Sequence, residues 1–265
     1  MGRHHAIWLV ALLVLALPAA PVAAASTWYV GPGGIDDTNP GRGASAANPW
    51  GTIDFAVQHV TDDTPTLLVP DGTYTDPAVS LSRVFATYLT IHAQNPYRAI
   101  LTNTGGQPVL RSFGGANYAI EGFIIGPTQS ILAVQIGDQS NNFTFRNNIF
   151  RDSFNNDLLK VNDRATNVLI EGNLFYNRGG SDEDLDINAV LNVTVQDNIF
   201  FSDYAGSGRT PPGCLRQPSL GVGIDDHGMD VRLAAHGARV AQAREPRQRV
   251  RARVGVLGLI LSPKR

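Results

Sequence analysis

Through the middle of the chain, apolar and polar residues alternate in short bursts, and the bursts recur. The segments "NYAIEGFII", "NFTFRNNIF", "NVLIEGNLF" and "NVTVQDNIF" begin at Asn117, Asn142, Asn167 and Asn192, each 25 residues after the last. Aligned on one another they give columns. The second holds Tyr118, Phe143, Val168 and Val193, and the fourth Ile120, Phe145, Ile170 and Val195. The positions between and after them are polar or mixed. A period of two with one apolar side predicts a strand with one buried face. A Gly or polar residue follows, and then an apolar pair ends each copy. A second short strand precedes some copies: Val134–Ile136, Leu159–Val161 and Leu185–Ile187 each place one polar residue between two apolar ones. The first two are 25 apart and the third is displaced by 26, with the loop after it shortened so that register returns at Asn192.

A repeat of this length, with several short strands and no helical period, predicts an all-β chain wound as a parallel β-helix. Successive coils then lie about 4.8 Å apart. The Asn columns acquire a physical role in that arrangement. Asn117, Asn142, Asn167 and Asn192 form one column, and Asn148, Asn173 and Asn198 a second, with Phe123 at the corresponding place in the earliest copy. An Asn at a tight corner tolerates left-handed backbone, and its carboxamide can bond the coil below. Both columns are read as structural ladders.

Composition divides the chain into three parts. Residues 1–25 have a basic start, the apolar run "AIWLVALLVLALP" and then small residues. This is the pattern of a secretory signal peptide, too short for a stable membrane span. It predicts a secreted, periplasmic or cell-surface protein. Residues 26–209 carry the cap (26–75) and the repeats, most regular over 117–200. From residue 210 the character changes. After Pro211 there is no Asn, Phe, Trp or Tyr, and ten Lys and Arg against four Asp and Glu leave this part at +6 and the remainder at −8. Two readings fit such a tail: a basic arm for anionic surfaces, or an out-of-frame translation of a GC-rich gene. The second is favoured, so the tail is expected to have little order and to add no coil, leaving the β-helix truncated at that end. No nucleic-acid partner is expected. The single cysteine, Cys214, has no partner for a disulfide.

Residues Thr27–Tyr74 carry a more specific signature: "TWYVGPGGIDDTNPG", then a proline and an aromatic, then "TIDFAV", then "VPDGTY". This order resembles the start of exported right-handed β-helix proteins of the pectate-lyase-like superfamily, and with the repeats the resemblance runs to about Arg209. It implies a right-handed coil, a short N-terminal helix covering the first coil, and activity on polysaccharides, often uronate-rich ones; the sequence does not fix the oligomeric state, and a monomer is expected. "TIDFAVQHV" fits that helix, with Thr52 as its cap and Asp54 in its first turn.

For a lyase of this kind, β-elimination needs a cation against the uronate carboxylate and a base for the neighbouring C–H. Lys160 is the candidate base. It is the one lysine between Ser26 and Arg209, and it stands between the inward Leu159 and Val161. Gln135 and Asp186 should flank it on neighbouring coils. Asp157, Asp182, Asp184 and Asp186, with Glu183, form an acidic cluster of the kind that can hold Ca²⁺, a hard cation taking six to eight oxygens. Arg178 could hold a substrate carboxylate. The competing reading is a solvated acidic ladder in which Lys160 merely pairs with Asp186. The function expected is thus a polysaccharide-active protein, a Ca²⁺-dependent lyase in the sharper form. The alternatives are a non-catalytic carbohydrate-binding or surface protein, or an inactive truncated fragment.

Overall fold

The structure, a computed structural model, describes residues 26–61, 65–75, 78–128, 132–153, 157–177 and 184–202, with the strands Val231–Ala235 and Arg251–Val254. It is a parallel β-helix. From Thr66 to Ile187 each coil contributes a strand to each of three sheets, and neighbouring strands in every sheet pair in parallel. The first and longest sheet contains Ala116–Glu121, Asn141–Arg146, Thr166–Glu171 and Leu191–Gln196 as successive members. The second runs through Leu110–Phe113, Val134–Gly137, Leu159–Val161 and Leu185–Ile187, and the third through Ile124–Thr128, Ile149–Arg151, Leu174–Asn177 and Ile199–Ser202.

The pairing follows the repeat arithmetic. Phe145 is opposite Ile120 and Ile170, and Ile170 is opposite Val195. In the second sheet Lys160 is opposite both Gln135 and Asp186, so the 26-residue step at that point is a register match. The alternating apolar columns point inward: Tyr118, Phe143, Val168 and Val193, with Ile120, Phe145, Ile170 and Val195, are all buried. Aromatic rings stack along the axis inside. Tyr118 lies on Phe143 at 5.1 Å and Phe150 on Phe175 at 4.7 Å with ring planes 7° apart, an offset geometry that adds to burial. Of the apolar pairs that end the first three copies, the second residue (Ile125, Phe150 and Phe175) is inside. The first faces out, so Ile124, Ile149, Leu174 and Ile199 form an aliphatic stripe along the third sheet.

The two Asn columns do different work. Asn117, Asn142, Asn167 and Asn192 all have positive φ, between 56° and 68°, as the corner requires. Asn142 donates to the Asn117 carboxamide at 2.8 Å, and Asn192 donates to Asn167. Between those pairs the ladder shifts: Asn167 Nδ2 donates to Asn141 Oδ1 instead. The second column is buried and continuous. The Asn173 carboxamide oxygen accepts the Asn148 backbone N–H at 2.9 Å, Asn198 does the same for Asn173 at 2.8 Å, and Asn148 for Phe123 at 3.0 Å. Their Nδ2 groups donate to the carbonyls of Ile120, Phe145 and Ile170. Backbone groups that the corner takes out of the strand ladders are thus satisfied by side chains, as burial demands.

The helix spans Ile53–His59, one residue inside the expected boundaries at each end. Thr52 accepts the Phe55 N–H at 3.2 Å, and Ile53, Ala56 and Val57 are buried. Asp54 is more than a first-turn charge, because its carboxylate accepts the Ser80 backbone N–H at 2.7 Å and ties the helix to the next coil. Residues 1–25, the expected signal peptide, lie outside the described residues. Among those that are described, no helix is long and apolar enough to cross a membrane.

Two short strands are described in the basic C-terminal part. Val231–Ala235 pairs in parallel with Leu191–Gln196, and Arg251–Val254 pairs with it in turn, extending the first sheet by two strands. The register sets Val231 opposite Val193 and Leu233 opposite Val195. The sequence "VRLAA" alternates with a period of two even though the Asn and Phe of the earlier copies are gone. Charge and composition concealed that alternation in the sequence.

Candidate functional site

Outward positions of the second sheet form one column: Ser80, Arg111, Gln135, Lys160 and Asp186, each opposite the next. The inward neighbours of Lys160, Leu159 and Val161, are fully buried, which fixes the lysine on the outer face. The strand's period of two is the whole reason for its orientation. Lys160 Nζ bonds the Asp186 carboxylate directly, and Asp157 Oδ2 lies 3.6 Å away. Asn188 Nδ2 also donates to Asp186, at 2.8 and 3.0 Å to its two oxygens. Asp157 and Asp186 are both buried at their carboxylates, whereas Lys160 keeps 23% of its side chain exposed.

Three effects compete on the ammonium. Burial disfavours its charge, but the bond to Asp186 and the charges of Asp186 and Asp157 outweigh that and hold the pKa above the ordinary lysine value. At neutral pH Lys160 is a protonated cation clamped by two carboxylates. A base must first lose that proton, so the clamp works against the role that the sequence suggested. Further along the same column Arg111 donates to Gln107 at 2.8 Å and is half-buried.

Asp184 is placed differently from what its neighbours in sequence imply. Its carbonyl accepts the Leu159 N–H, as the Leu158 carbonyl accepts the Val134 N–H one coil earlier. Asp184 therefore occupies the column of Leu158 and Ala133, both fully buried and apolar. Burial alone pushes its carboxyl up to about 6. Arg178 and Asp182 lie outside the described residues. Among the described residues no three His, Cys, Asp or Glu side chains are grouped so as to hold a metal ion. Asp157 and Asp186 turn to Lys160, and Asp184 stands in an apolar column. The described residues do not make the donor set that Ca²⁺ requires.

No family model matches the chain, and no curated protein matches it. Among solved structures, a rhamnogalacturonan lyase is similar over 79% of this chain and 67% of its own, at 13% identity and a TM-score of 0.44.

A second polar ladder lies on the outer face of the first sheet. Arg146 bridges Glu121 at 3.1 Å and Glu171 at 3.0 Å, and Gln196 donates to Glu171 at 2.7 Å. The Arg146 hydrogen bond holds Glu171 below the usual carboxylate range. These charges are spent on one another. The periodic columns made this ladder legible in sequence, since Glu121, Arg146, Glu171 and Gln196 share one column. The buried Asp157 was not legible as a partner of Lys160 from spacing alone, because i,i+3 neighbours meet here only through the bend that enters the strand.

Proposed function

We propose that this chain is an exported polysaccharide-binding β-helix whose ligand lies along the outward column of the second sheet. The carrying observation is that Arg111, Gln135, Lys160 and Asp186 stand in register on four successive coils. At about 4.8 Å per coil they line a track of about 14 Å, long enough for two or three sugar units. Gln135 and the partly exposed Lys160 offer donors, and Gln135 an acceptor, for hydroxyls, while the buried Asp186 holds Lys160 in place. Arg111, whose planar fork matches a carboxylate, favours uronate units. The similarity of residues 27–74 to exported polysaccharide-active β-helices supports the same reading.

Cleavage by β-elimination is the second reading, favoured by the presence of two cations, Arg111 and Lys160, in one column. It requires Lys160 to shed a proton that Asp157 and Asp186 stabilise. The two readings separate in one experiment. The full chain is incubated with polygalacturonate, retention in an affinity gel reports binding, and absorbance of unsaturated products in the ultraviolet reports cleavage. Retention that is lost in Arg111→Ala, with no ultraviolet signal, is the expected result. Ultraviolet-absorbing product abolished by Lys160→Ala establishes the lyase, and equal retention of Arg111→Ala and the parent chain with no ultraviolet signal defeats both.

A further inference from the structure

At the opposite end of the described coils, a cavity of about 310 Å³ opens beside the capping helix, lined among others by Trp28, Asp37, Asn39, Arg42, His59 and Thr61. Its size is at the lower end of small-molecule pockets, which run from roughly 300 to 1,000 Å³. It is separated from the strand that follows Lys160 by five steps of the first sheet, roughly 24 Å at the ordinary strand spacing. The pocket and the Lys160 column are therefore distinct places.

The walls are fixed before any ligand arrives. Trp28 and Trp50 stack at 5.0 Å with planes 10° apart, and Trp50 is anchored by its Nε1–H donating to the Asp37 carbonyl at 3.1 Å. Gly43 makes this packing possible. It has φ +75°, and a Cβ there would fall 2.6 Å from the Trp50 ring. Arg42 grips Asp37 with two N–H groups at 3.1 and 3.2 Å, which holds that carboxyl below its usual range, and also donates to Asn48. Asn39 donates to Asp37 through its backbone N–H and its Nδ2. His59 lies flat on Phe55 at 3.8 Å, and its Nδ1–H donates to the Phe55 carbonyl at 2.8 Å. A carbonyl can only accept, so Nδ1 carries a proton and Nε2 is left facing away from this bond.

These walls select a ligand class. The cavity carries one anion and one cation, already paired, so it offers no net charge to an ionic ligand. It does offer an indole wall together with amide, imidazole and hydroxyl groups. A molecule with an apolar ring face and a rim of hydroxyls satisfies both kinds of wall at once. We infer that the pocket of Trp28, Asp37, Arg42 and His59 is a binding site for a neutral sugar, one or two rings in size, stacked on the Trp28–Trp50 wall. This site is independent of the polysaccharide track proposed above.

The test uses the full chain with maltose, cellobiose, lactose and xylobiose as neutral probes and galacturonic acid and glucosamine as charged ones, read by saturation-transfer NMR and calorimetry. At least one neutral disaccharide should bind in the millimolar range, at least about tenfold more tightly than either charged sugar. Ala44→Leu narrows the cavity from an exposed lining position without touching the core, and should weaken that binding about tenfold or more while leaving the melting temperature unchanged. Trp28→Ala should abolish it, and if that variant fails to fold, Ala44→Leu decides. Lys160→Gln should leave it unaltered, which separates the pocket from the second-sheet track. Absence of binding by every neutral probe, preference for a charged sugar, or affinity unchanged in Ala44→Leu overturns the inference.

Discussion

Replacing Asp184 should make the protein more stable, by an amount that grows as pH rises from about 3.8 to about 6. The side chain fills a column that is Ala133 and Leu158 in the coils before it, and burial raises its carboxyl from 3.8 to about 6. In the unfolded chain it ionises at the ordinary value. A group whose folded pKa is raised favours the folded state fully below about pH 3.8, and that advantage is lost as pH rises through about 6. A tenfold change in an ionisation constant is worth about 1.36 kcal/mol, so above pH 6 the ionised, buried Asp184 costs the fold on the order of 3 kcal/mol. Asp184→Asn removes the charge but keeps a buried amide to desolvate. Asp184→Leu restores the column residue found at Leu158. Urea unfolding followed by circular dichroism, for the parent chain and both variants across pH 3.5 to 8, reads the difference directly. At pH 8 Asp184→Leu should gain about 2–3 kcal/mol over the parent and Asp184→Asn about 1–2. Both gains should shrink by about 1.4 kcal/mol per pH unit below pH 6. A gain that does not change with pH would mean that the carboxyl is not desolvated, and would refute the placement of Asp184 in the apolar column.

Further outcomes follow from the same geometry. Asn173→Ala leaves the Asn148 N–H and the Phe145 carbonyl without their side-chain partner in a buried corner, and should cost about 3 kcal/mol or more in urea unfolding, whereas Asn192→Ala on the exposed column should cost about 1 kcal/mol or less. Gly115→Ala would set a Cβ 1.8 Å from the Leu81 carbonyl oxygen, so it should lose about 3 kcal/mol or fail to accumulate as folded protein in a solubility assay. Lys160→Gln removes the cation beside the buried Asp157 carboxylate and should destabilise by about 1–3 kcal/mol, with Asp157→Asn in the same chain returning part of that in a double-mutant cycle. Because the Lys160 pKa is raised, its contribution should persist through neutral pH and fade only as pH rises through the alkaline range where the ammonium deprotonates.

What the sequence made legible was whatever repeats. The strands of Ala116–Glu121 and its three successors, both Asn columns and the outward position of Lys160 all follow from a 25-residue period and an alternation of two. The details that do not repeat were not legible. The carboxamide ladder breaks between Asn142 and Asn167 because Asn141 competes for the same donor, and nothing in the column of identical residues announces that. Asp184 reads as part of an acidic loop until pairing puts it in an apolar column. Lys160 reads as a base or as a partner of Asp186 alone until the bend before the strand brings Asp157 beneath it. The two strands of the basic segment pair onto the first sheet but lack every composition signal that marked the earlier coils. The Trp28–Trp50 pocket joins residues from a loop, a strand and a helix, with no shared spacing to reveal it.

The polysaccharide track is tested most directly by hydrogen exchange read by mass spectrometry, with and without an oligogalacturonide. The account predicts slowed exchange in peptides covering Leu110–Phe113, Val134–Gly137, Leu159–Val161 and Leu185–Ile187, the four strands that carry Arg111, Gln135, Lys160 and Asp186. The same experiment should show unchanged exchange in the third-sheet strands Ile124–Thr128 and Ile149–Arg151. Protection confined to the third sheet, or none anywhere at saturating oligosaccharide, would contradict it.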